Sequence, residues 1–133
     1  MRTVLFNDFI PGVIRGQEVV SVQDLVKDLR YHSPQQLVEQ VIINFKELSP
    51  RFQEVANKGK GKPLSQVRLR APVPRPQKLV CAVANYLEHG HRPPQEQDFF
   101  LKSPCSVIGD RDTVHLPPCK ATIFHHEAEL GLV

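Results

Sequence analysis

The chain has 133 residues, of which 41% are hydrophobic and 23% are charged, and its formal net charge is +3. This composition is typical of a folded globular protein and does not suggest a disordered chain. The lysines and arginines are scattered, apart from Lys58, Lys60 and Lys62 in a glycine-rich loop. The mild positive charge therefore does not favour a nucleic-acid-binding surface.

Three cysteines without a C-x-x-C pair argue against a disulfide framework and a zinc ribbon, and indicate a reducing compartment. No apolar run reaches the roughly 18 residues of a membrane span, and residues 1–7 lack the apolar core of a signal peptide. We expect a soluble protein without a membrane partner. Its location would be cytoplasmic, or mitochondrial if a presequence has been removed.

Three helix starts are predicted in the first 66 residues. The first follows Ser21, the second begins at Ser33-Pro34, and the third begins at Ser49-Pro50. Apolar residues recur at helical spacing after each start, and the last helix should end at the glycines of residues 59–61. A hairpin across Pro11-Gly12 could precede these helices.

From residue 67 the pattern changes to short apolar runs between prolines, with a turn at Gly109-Asp110. This pattern predicts an α+β fold, in which a small, mainly helical N-terminal α/β region at residues 1–66 precedes a β-rich region at residues 67–133. The run at 79–84 is continuous and is expected to be buried. Strands are predicted at residues 67–70, 79–84, 99–101, 113–116 and 127–133.

The second region contains a proline-rich segment followed by four motifs. The segment APVPRP at 71–76 leads to NYLEH at 85–89, FLKSP at 100–104, VHLP at 114–117 and EAEL at 127–130. In this order they resemble the opening of the catalytic domain in the fumarylacetoacetate hydrolase family. The resemblance covers residues 68–133 and implies the first portion of a mixed β-roll, preceded by the family's variable N-terminal domain. Members of the family mostly break or rearrange C–C bonds in small oxo-acids.

The resemblance implies that Glu127 and Glu129 bind Mg²⁺, or Mn²⁺ or Ca²⁺ in its place. Residues two apart on a strand leave the same face, about 6.6 Å apart along the backbone, so both carboxylates could reach one ion. Spacing alone would favour two exposed carboxylates on a strand; the resemblance favours metal ligands. The neighbouring His125 and His126 are interpreted as ordinary strand or loop histidines.

The resemblance also assigns roles near the strand ends. His89 would activate the water that attacks a carbonyl carbon, although without the family it would be interpreted as a surface histidine. Lys102 would pair with a substrate carboxylate or a developing oxyanion, or else extend along an apolar surface to solvent. Asn85 and Tyr86 would bind substrate by hydrogen bonds, and both fit turn or packing roles equally.

The function implied is a metal-dependent hydrolase of acylpyruvates or other β-diketo or 2-oxo acids, as in the catabolism of aromatic compounds. Many hydrolytic members carry a glutamate three residues after the histidine, where this chain has Arg92. That departure leaves open an isomerase or decarboxylase of hydroxymuconate-type ring-cleavage products. A non-catalytic fragment is a third interpretation.

In the family a third carboxylate ligand, further site residues and more strands come later than the position of Val133. We therefore expect the chain to be truncated and to have little or no activity alone. A homodimer is expected for the complete protein, with a small oxo-acid as its substrate.

Overall fold

A computed structural model describes residues 1–87, 90–91 and 93–133 of the chain. Its fold is mixed α+β, as predicted. The strands are β1 (Arg2–Phe6), β2 (Ile10–Arg15), β3 (Glu18–Ser21), β4 (Lys62–Pro63), β5 (Leu79–Val83) and β6 (Asp98–Lys102); the α-helices are α1 (Pro34–Ile43) and α2 (Phe45–Lys58); and short 3₁₀ helices span Gln23–Leu25, Leu64–Gln66 and Pro104–Ser106.

Strands β1 to β4 form one antiparallel sheet in the order β1-β2-β3-β4. Pro11 and Gly12 lie inside β2, opposite Leu5 and Val4, so the predicted turn at Pro11-Gly12 was wrong. The chain reverses at residues 7–9 instead, where Asn7 and Phe9 have positive φ angles. The mainly helical character expected for this region is not confirmed, because the sheet accompanies the helices.

The predicted helix at Ser33-Pro34 is confirmed. The Ser33 side chain accepts a hydrogen bond from the Gln36 amide, and Pro34 occupies the first turn, where its missing N–H costs nothing. The helix expected after Ser21 is only the 3₁₀ turn at Gln23–Leu25.

The third helix ends just before Gly59, as predicted, but the predicted start at Ser49-Pro50 was wrong. It begins at Phe45, and Pro50 lies inside it. Asn44 ends α1 and precedes α2, so only one residue separates the two helices.

The apolar core lies between the sheet and the helices. Phe52 and Val26 are almost fully buried in its larger cluster, and a smaller cluster joins Phe6 and Val19 to Val67. All buried hydrophobic residues among those described lie between residues 5 and 71: Leu5, Phe6, Val13, Val19, Val20, Val22, Val26, Leu37, Leu48, Phe52, Ala56, Val67 and Ala71.

The later part of the described chain is a two-stranded sheet with irregular segments. Strands β5 and β6 are antiparallel, which confirms the strands predicted near 79–84 and 99–101. The run at 79–84 is not buried as expected, since Val80 is 57% exposed. Residues 67–70 contribute only an isolated bridge, between Leu69 and Phe6.

The strands predicted at 113–116 and 127–133 are absent. Strand backbone needs a partner for its N–H and C=O groups, and none pairs with these segments in the described chain. The expected β-roll is therefore not confirmed. No described helix is long and apolar enough to cross a membrane.

Candidate functional site

The predicted substrate-binding residues are distributed over both ends of the β5-β6 hairpin. Leu79 pairs with Lys102 at one end, and Val83 pairs with Asp98 at the other. The two residue pairs are four residues, or about 13 Å, apart along a strand. Asn85 and Tyr86 follow β5 beyond Val83, so the structure does not bring them together with Lys102. All three side chains are exposed.

Lys102 is the last residue of β6, as the sequence predicted. Its ammonium nitrogen lies 5.6 Å from the centroid of the Phe100 ring, two residues earlier on the same strand face. A cation over an aromatic face is attracted by about 0.5–1 kcal/mol when exposed. The ring therefore restrains an ammonium group that remains accessible to an anionic ligand.

The loop after β5 would carry the predicted general base. His89 lies outside the described residues, as do Glu88 and Arg92. The Gln95 amide donates a hydrogen bond of 3.1 Å to the Ala84 carbonyl. This bond ties the residue that follows β5 to the segment that leads into β6.

The predicted metal ligands lie in the irregular C-terminal segment. Glu127 and Glu129 are exposed and belong to no strand, so the common strand face on which their convergence was argued is not formed. Carboxylate oxygens suit Mg²⁺ and Mn²⁺ in kind. Two carboxylates are few ligands for such an ion, however. No group of three or more His, Cys, Asp or Glu within residues 1–87, 90–91 and 93–133 could hold a metal ion.

Two cavities lie in the N-terminal part of the molecule. One, of about 240 Å³, is lined mainly by apolar residues of β1, β2, α1 and α2, together with Val22, Pro72, Val73 and Val133. The other, of about 300 Å³, lies at the start of α1 beside His32 and Ser33. None of the predicted site residues that the structure describes lines either cavity, so neither supports the predicted chemistry.

One cluster of polar contacts was not indicated by the sequence pattern. The Arg68 guanidinium is bonded to one carboxylate oxygen of Asp112, and the Gly109 amide donates to the other at 2.8 Å. The hydrogen bond from Arg68, followed by that from the Gly109 amide, lowers the pKa of Asp112. The predicted turn at Gly109-Asp110 is confirmed. The pairing of Asp112 with Arg68 joins residues 44 positions apart, so no local sequence signal could predict it.

Comparison with known proteins shows several relatives that share part of the chain. Fumarylacetoacetate hydrolase domain-containing protein 2 of Pongo abelii is 39% identical over 75 residues, as is the mitochondrial oxaloacetate tautomerase FAHD2A of Homo sapiens. Each alignment covers 53% of this chain. The crystal structure of maleylpyruvate hydrolase from Sphingobium sp. SYK-6, in complex with manganese(II) and pyruvate, is 29% identical, with a TM-score of 0.75 over 90% of this chain.

The alignments span only part of these proteins. They cover 24% of each of the two relatives and 43% of the maleylpyruvate hydrolase chain. No protein-family model matches the chain. The relation therefore depends on pairwise likenesses in sequence and fold, which agree with one another.

Proposed function

Because the chain belongs to the fumarylacetoacetate hydrolase family, we propose that it contributes active-site residues to a metal-dependent enzyme that hydrolyses a C–C bond. Its substrates would be acylpyruvates or other β-diketo or 2-oxo acids. The observation that carries this proposal is the likeness, over 90% of the chain, to a maleylpyruvate hydrolase solved with manganese(II) and pyruvate. Pyruvate is itself a 2-oxo acid.

Glu127 and Glu129 are the proposed metal ligands. Their oxygen donors suit a hard divalent ion that keeps positions for water or substrate oxygens. A bound ion would supply positive charge against the negative charge that develops on the leaving enolate. Because two carboxylates are few for such an ion, the substrate's own carboxylate and carbonyl oxygens would complete the coordination.

The other proposed residues bind substrate or move a proton. Lys102, with its accessible ammonium group, would pair with the substrate carboxylate. An imidazole nitrogen of His89 would take a proton from the water that attacks the carbonyl carbon, and would return a proton to the departing carbon. Asn85 and Tyr86 would orient the substrate by hydrogen bonds. The exposure of Asn85 and Tyr86 just after β5 supports these two roles, since a substrate could reach both side chains.

The same proposal includes several finer points. Mg²⁺, with Mn²⁺ or Ca²⁺ as substitutes, would be the ion, and the working form would be a cytoplasmic homodimer without nucleic-acid or membrane partners. The exposed apolar residues of β5 and β6, including Val80 and Leu101, support association through this part of the molecule. The division into residues 1–66 and 67–133 also stays a prediction.

A second candidate function is isomerisation of a 2-oxo acid. A specific observation favours it, because a human relative at 39% identity is named an oxaloacetate tautomerase. Arg92, where many hydrolytic members have glutamate, agrees with this alternative. Product analysis separates the two candidates, since hydrolysis adds water and releases two acids, whereas isomerisation leaves the mass unchanged.

The test is to follow the ultraviolet absorbance of an acylpyruvate with Mn²⁺ and the purified full-length protein, since little or no activity is expected of the 133-residue chain alone. Loss of absorbance should require the metal and should fall by about 100-fold or more in Glu127→Ala, Glu129→Ala and His89→Ala. Glu54→Ala serves as the control, because Glu54 is an exposed residue of α2 paired only with Lys58 among the described residues. Undiminished turnover in the three variants would reject the proposed roles.

A further inference from the structure

The turn at residues 109–112 contacts the segment at residues 68–71. Arg68 forms an ion pair with Asp112, whose other carboxylate oxygen accepts the Gly109 amide at 2.8 Å. A Cβ atom at Gly109 would lie 3.2 Å from the Ala71 nitrogen and 3.3 Å from the Arg70 Cα atom. A side chain at Gly109 would therefore press against the backbone of residues 70 and 71. We call this contact region the Arg68–Asp112 junction.

The backbone of Arg68 is hydrogen-bonded to the turn between β1 and β2. Its carbonyl accepts the Asn7 amide at 2.8 Å, and its amide donates to the Asn7 side chain at 3.0 Å. The Arg70 amide donates to the Leu5 carbonyl at 2.8 Å. Leu5 is buried in the larger apolar cluster, and Val67, which precedes Arg68 in the chain, is buried in the smaller one. The Arg68 backbone is therefore fixed to the N-terminal sheet.

The connection from the junction to the end of β6 is short and internally bonded. Only residues 103–108 separate Lys102 from Gly109, and they include the 3₁₀ helix Pro104–Ser106. The Ser103 side chain accepts the Cys105 amide at 3.3 Å, and the Ser106 hydroxyl donates to the Ser103 carbonyl at 2.7 Å. A displacement of the turn would therefore move the end of β6 with it.

Little else in the described chain fixes β6. All five of its residues are exposed, and β5, its partner strand, contributes no buried residue. Three residues of β5 are half-buried, and a two-stranded hairpin with so little packing is marginally stable. The Arg68–Asp112 junction is therefore a principal attachment of β6 to the folded core.

We propose that Arg68 and Asp112 are positioning residues, which hold the end of β6 and its Lys102 in place relative to the N-terminal sheet. The role assigned to Lys102 rests on the proposed function above. The junction acts through the turn at residues 109–112 and the bonded segment that follows Lys102, and neither Arg68 nor Asp112 needs to touch the substrate.

The experiment measures two properties of Arg68→Gln and Asp112→Asn in the purified protein. Hydrogen exchange of the amides in Asp98–Lys102 reports whether the strand is held. Calorimetric titration with oxalate in the presence of Mn²⁺ reports ligand binding, both with Lys102 present and in the Lys102→Ala background. Arg111→Gln is the matched control, because Arg111 lies in the same turn but pairs only with its neighbour Asp110 among the described residues.

Both variants should exchange the β6 amides faster and should bind oxalate about two- to fivefold more weakly, the range expected for loss of one exposed ion pair. Arg68→Lys, which keeps the charge, should restore most of the binding. In the Lys102→Ala background neither variant should weaken binding further, because the junction acts through Lys102. A structural role unrelated to Lys102 would give the same loss in both backgrounds.

Equal losses in both backgrounds, or exchange of the β6 amides at the unsubstituted rate, would overturn the inference. Failure of the proposed function gives a different result, because the unsubstituted protein would then bind no oxalate with Mn²⁺. Hydrogen exchange would in that case still decide whether the junction holds β6.

Discussion

The guanidinium group of Arg70 lies over the ring of Phe9, 5.2 Å from its centroid. The Arg70 Nε atom also donates a 2.5 Å hydrogen bond to the Asn7 carbonyl. Asn7 and Phe9 both adopt positive φ angles, 48° and 59°, which are uncommon for residues with side chains and rare for bulky ones. Arg70 therefore stabilises a strained turn between β1 and β2 from a position 61 residues further along the chain.

Replacing Arg70 with alanine should destabilise the protein by about 1–2 kcal/mol, since it removes one cation–π contact and one hydrogen bond. Urea unfolding followed by circular dichroism measures the change. Arg111→Ala should change stability by less than about 0.5 kcal/mol, because Arg111 is an exposed surface residue. Equal stability of Arg70→Ala and the unsubstituted protein would contradict this role for Arg70.

The core of the N-terminal part gives a second prediction. Phe52 is 1% exposed and lies in the larger apolar cluster, whereas Phe99 is 57% exposed on β6. Phe52→Ala should cost about 3–5 kcal/mol through lost burial and the cavity that remains. Phe99→Ala should cost less than about 0.5 kcal/mol. Thermal unfolding of both variants checks the contrast, and similar losses would mean that β6 is packed against a surface that the described residues do not provide.

The sequence predicted those elements whose signals are local. Ser33, Pro34 and Gln36 are neighbours in the chain, so the start of α1 could be predicted from them alone. The start of α2 could not, because Pro50 is a strong helix-start signal that here lies within the helix. The strands expected at 113–116 and 127–133 failed for another reason, since alternating apolar residues show that a strand is suitable but not that a partner strand is present.

The site was predictable only in part. The position of Lys102 at the end of β6 follows from one apolar run, and the sequence located it. The relation of Lys102 to Asn85 and Tyr86 depends on hairpin register, which sequence periodicity does not determine. The pairing of Arg68 with Asp112 depends on contacts between residues far apart in the chain, for which a single sequence has no signal.

Gly59 at the end of α2 gives a third prediction. A Cβ atom there would lie 2.6 Å from a Val20 side-chain carbon and 2.7 Å from the Val55 carbonyl oxygen, which accepts the Gly59 amide. Backbone cannot move aside as a side chain can, so Gly59→Ala should destabilise the protein by about 1–3 kcal/mol. Gly131→Ala is the matched control, because nothing described lies within 4 Å of the added Cβ there. A loss no larger than that of the control would show that α2 ends differently.

The ionisation of Asp112 gives a prediction about pH. Its pKa in the folded protein is lowered, chiefly by the Arg68 hydrogen bond, so its ionised form favours folding. The contribution is present above the unfolded pKa of about 3.9 and is lost as the pH falls through the lower folded value. Asp112→Asn should therefore be less stable than the unsubstituted protein at pH 7, and the difference should shrink below about pH 4.

Urea midpoints measured from pH 7 down to about pH 2.5 would check this dependence. In the Arg68→Gln background the pH-dependent part of the difference should be smaller, because the main cause of the lowered pKa of Asp112 has been removed. A stability difference that stayed constant across this range would show that Asp112 acts through something other than its charge.

The last prediction concerns metal binding by the 133-residue polypeptide itself. Glu127 and Glu129 are exposed, and no third His, Cys, Asp or Glu joins them within the described residues. Two carboxylates on an irregular segment must be ordered when the ion binds, and they replace few of its waters. The dissociation constant for Mn²⁺ should therefore be about 1 mM or larger, which is the weak end of the range for Ca²⁺ sites in proteins.

Water-proton relaxation by Mn²⁺, titrated with the polypeptide, measures this affinity. Glu127→Gln and Glu129→Gln should each remove the binding, whereas Glu54→Gln should not, because Glu54 pairs with Lys58 on α2. Oxalate should tighten Mn²⁺ binding if ligand oxygens complete the coordination, since a chelating anion supplies donors that the two glutamates lack. Binding that survives both substitutions would place the metal elsewhere and would remove Glu127 and Glu129 from the proposed chemistry.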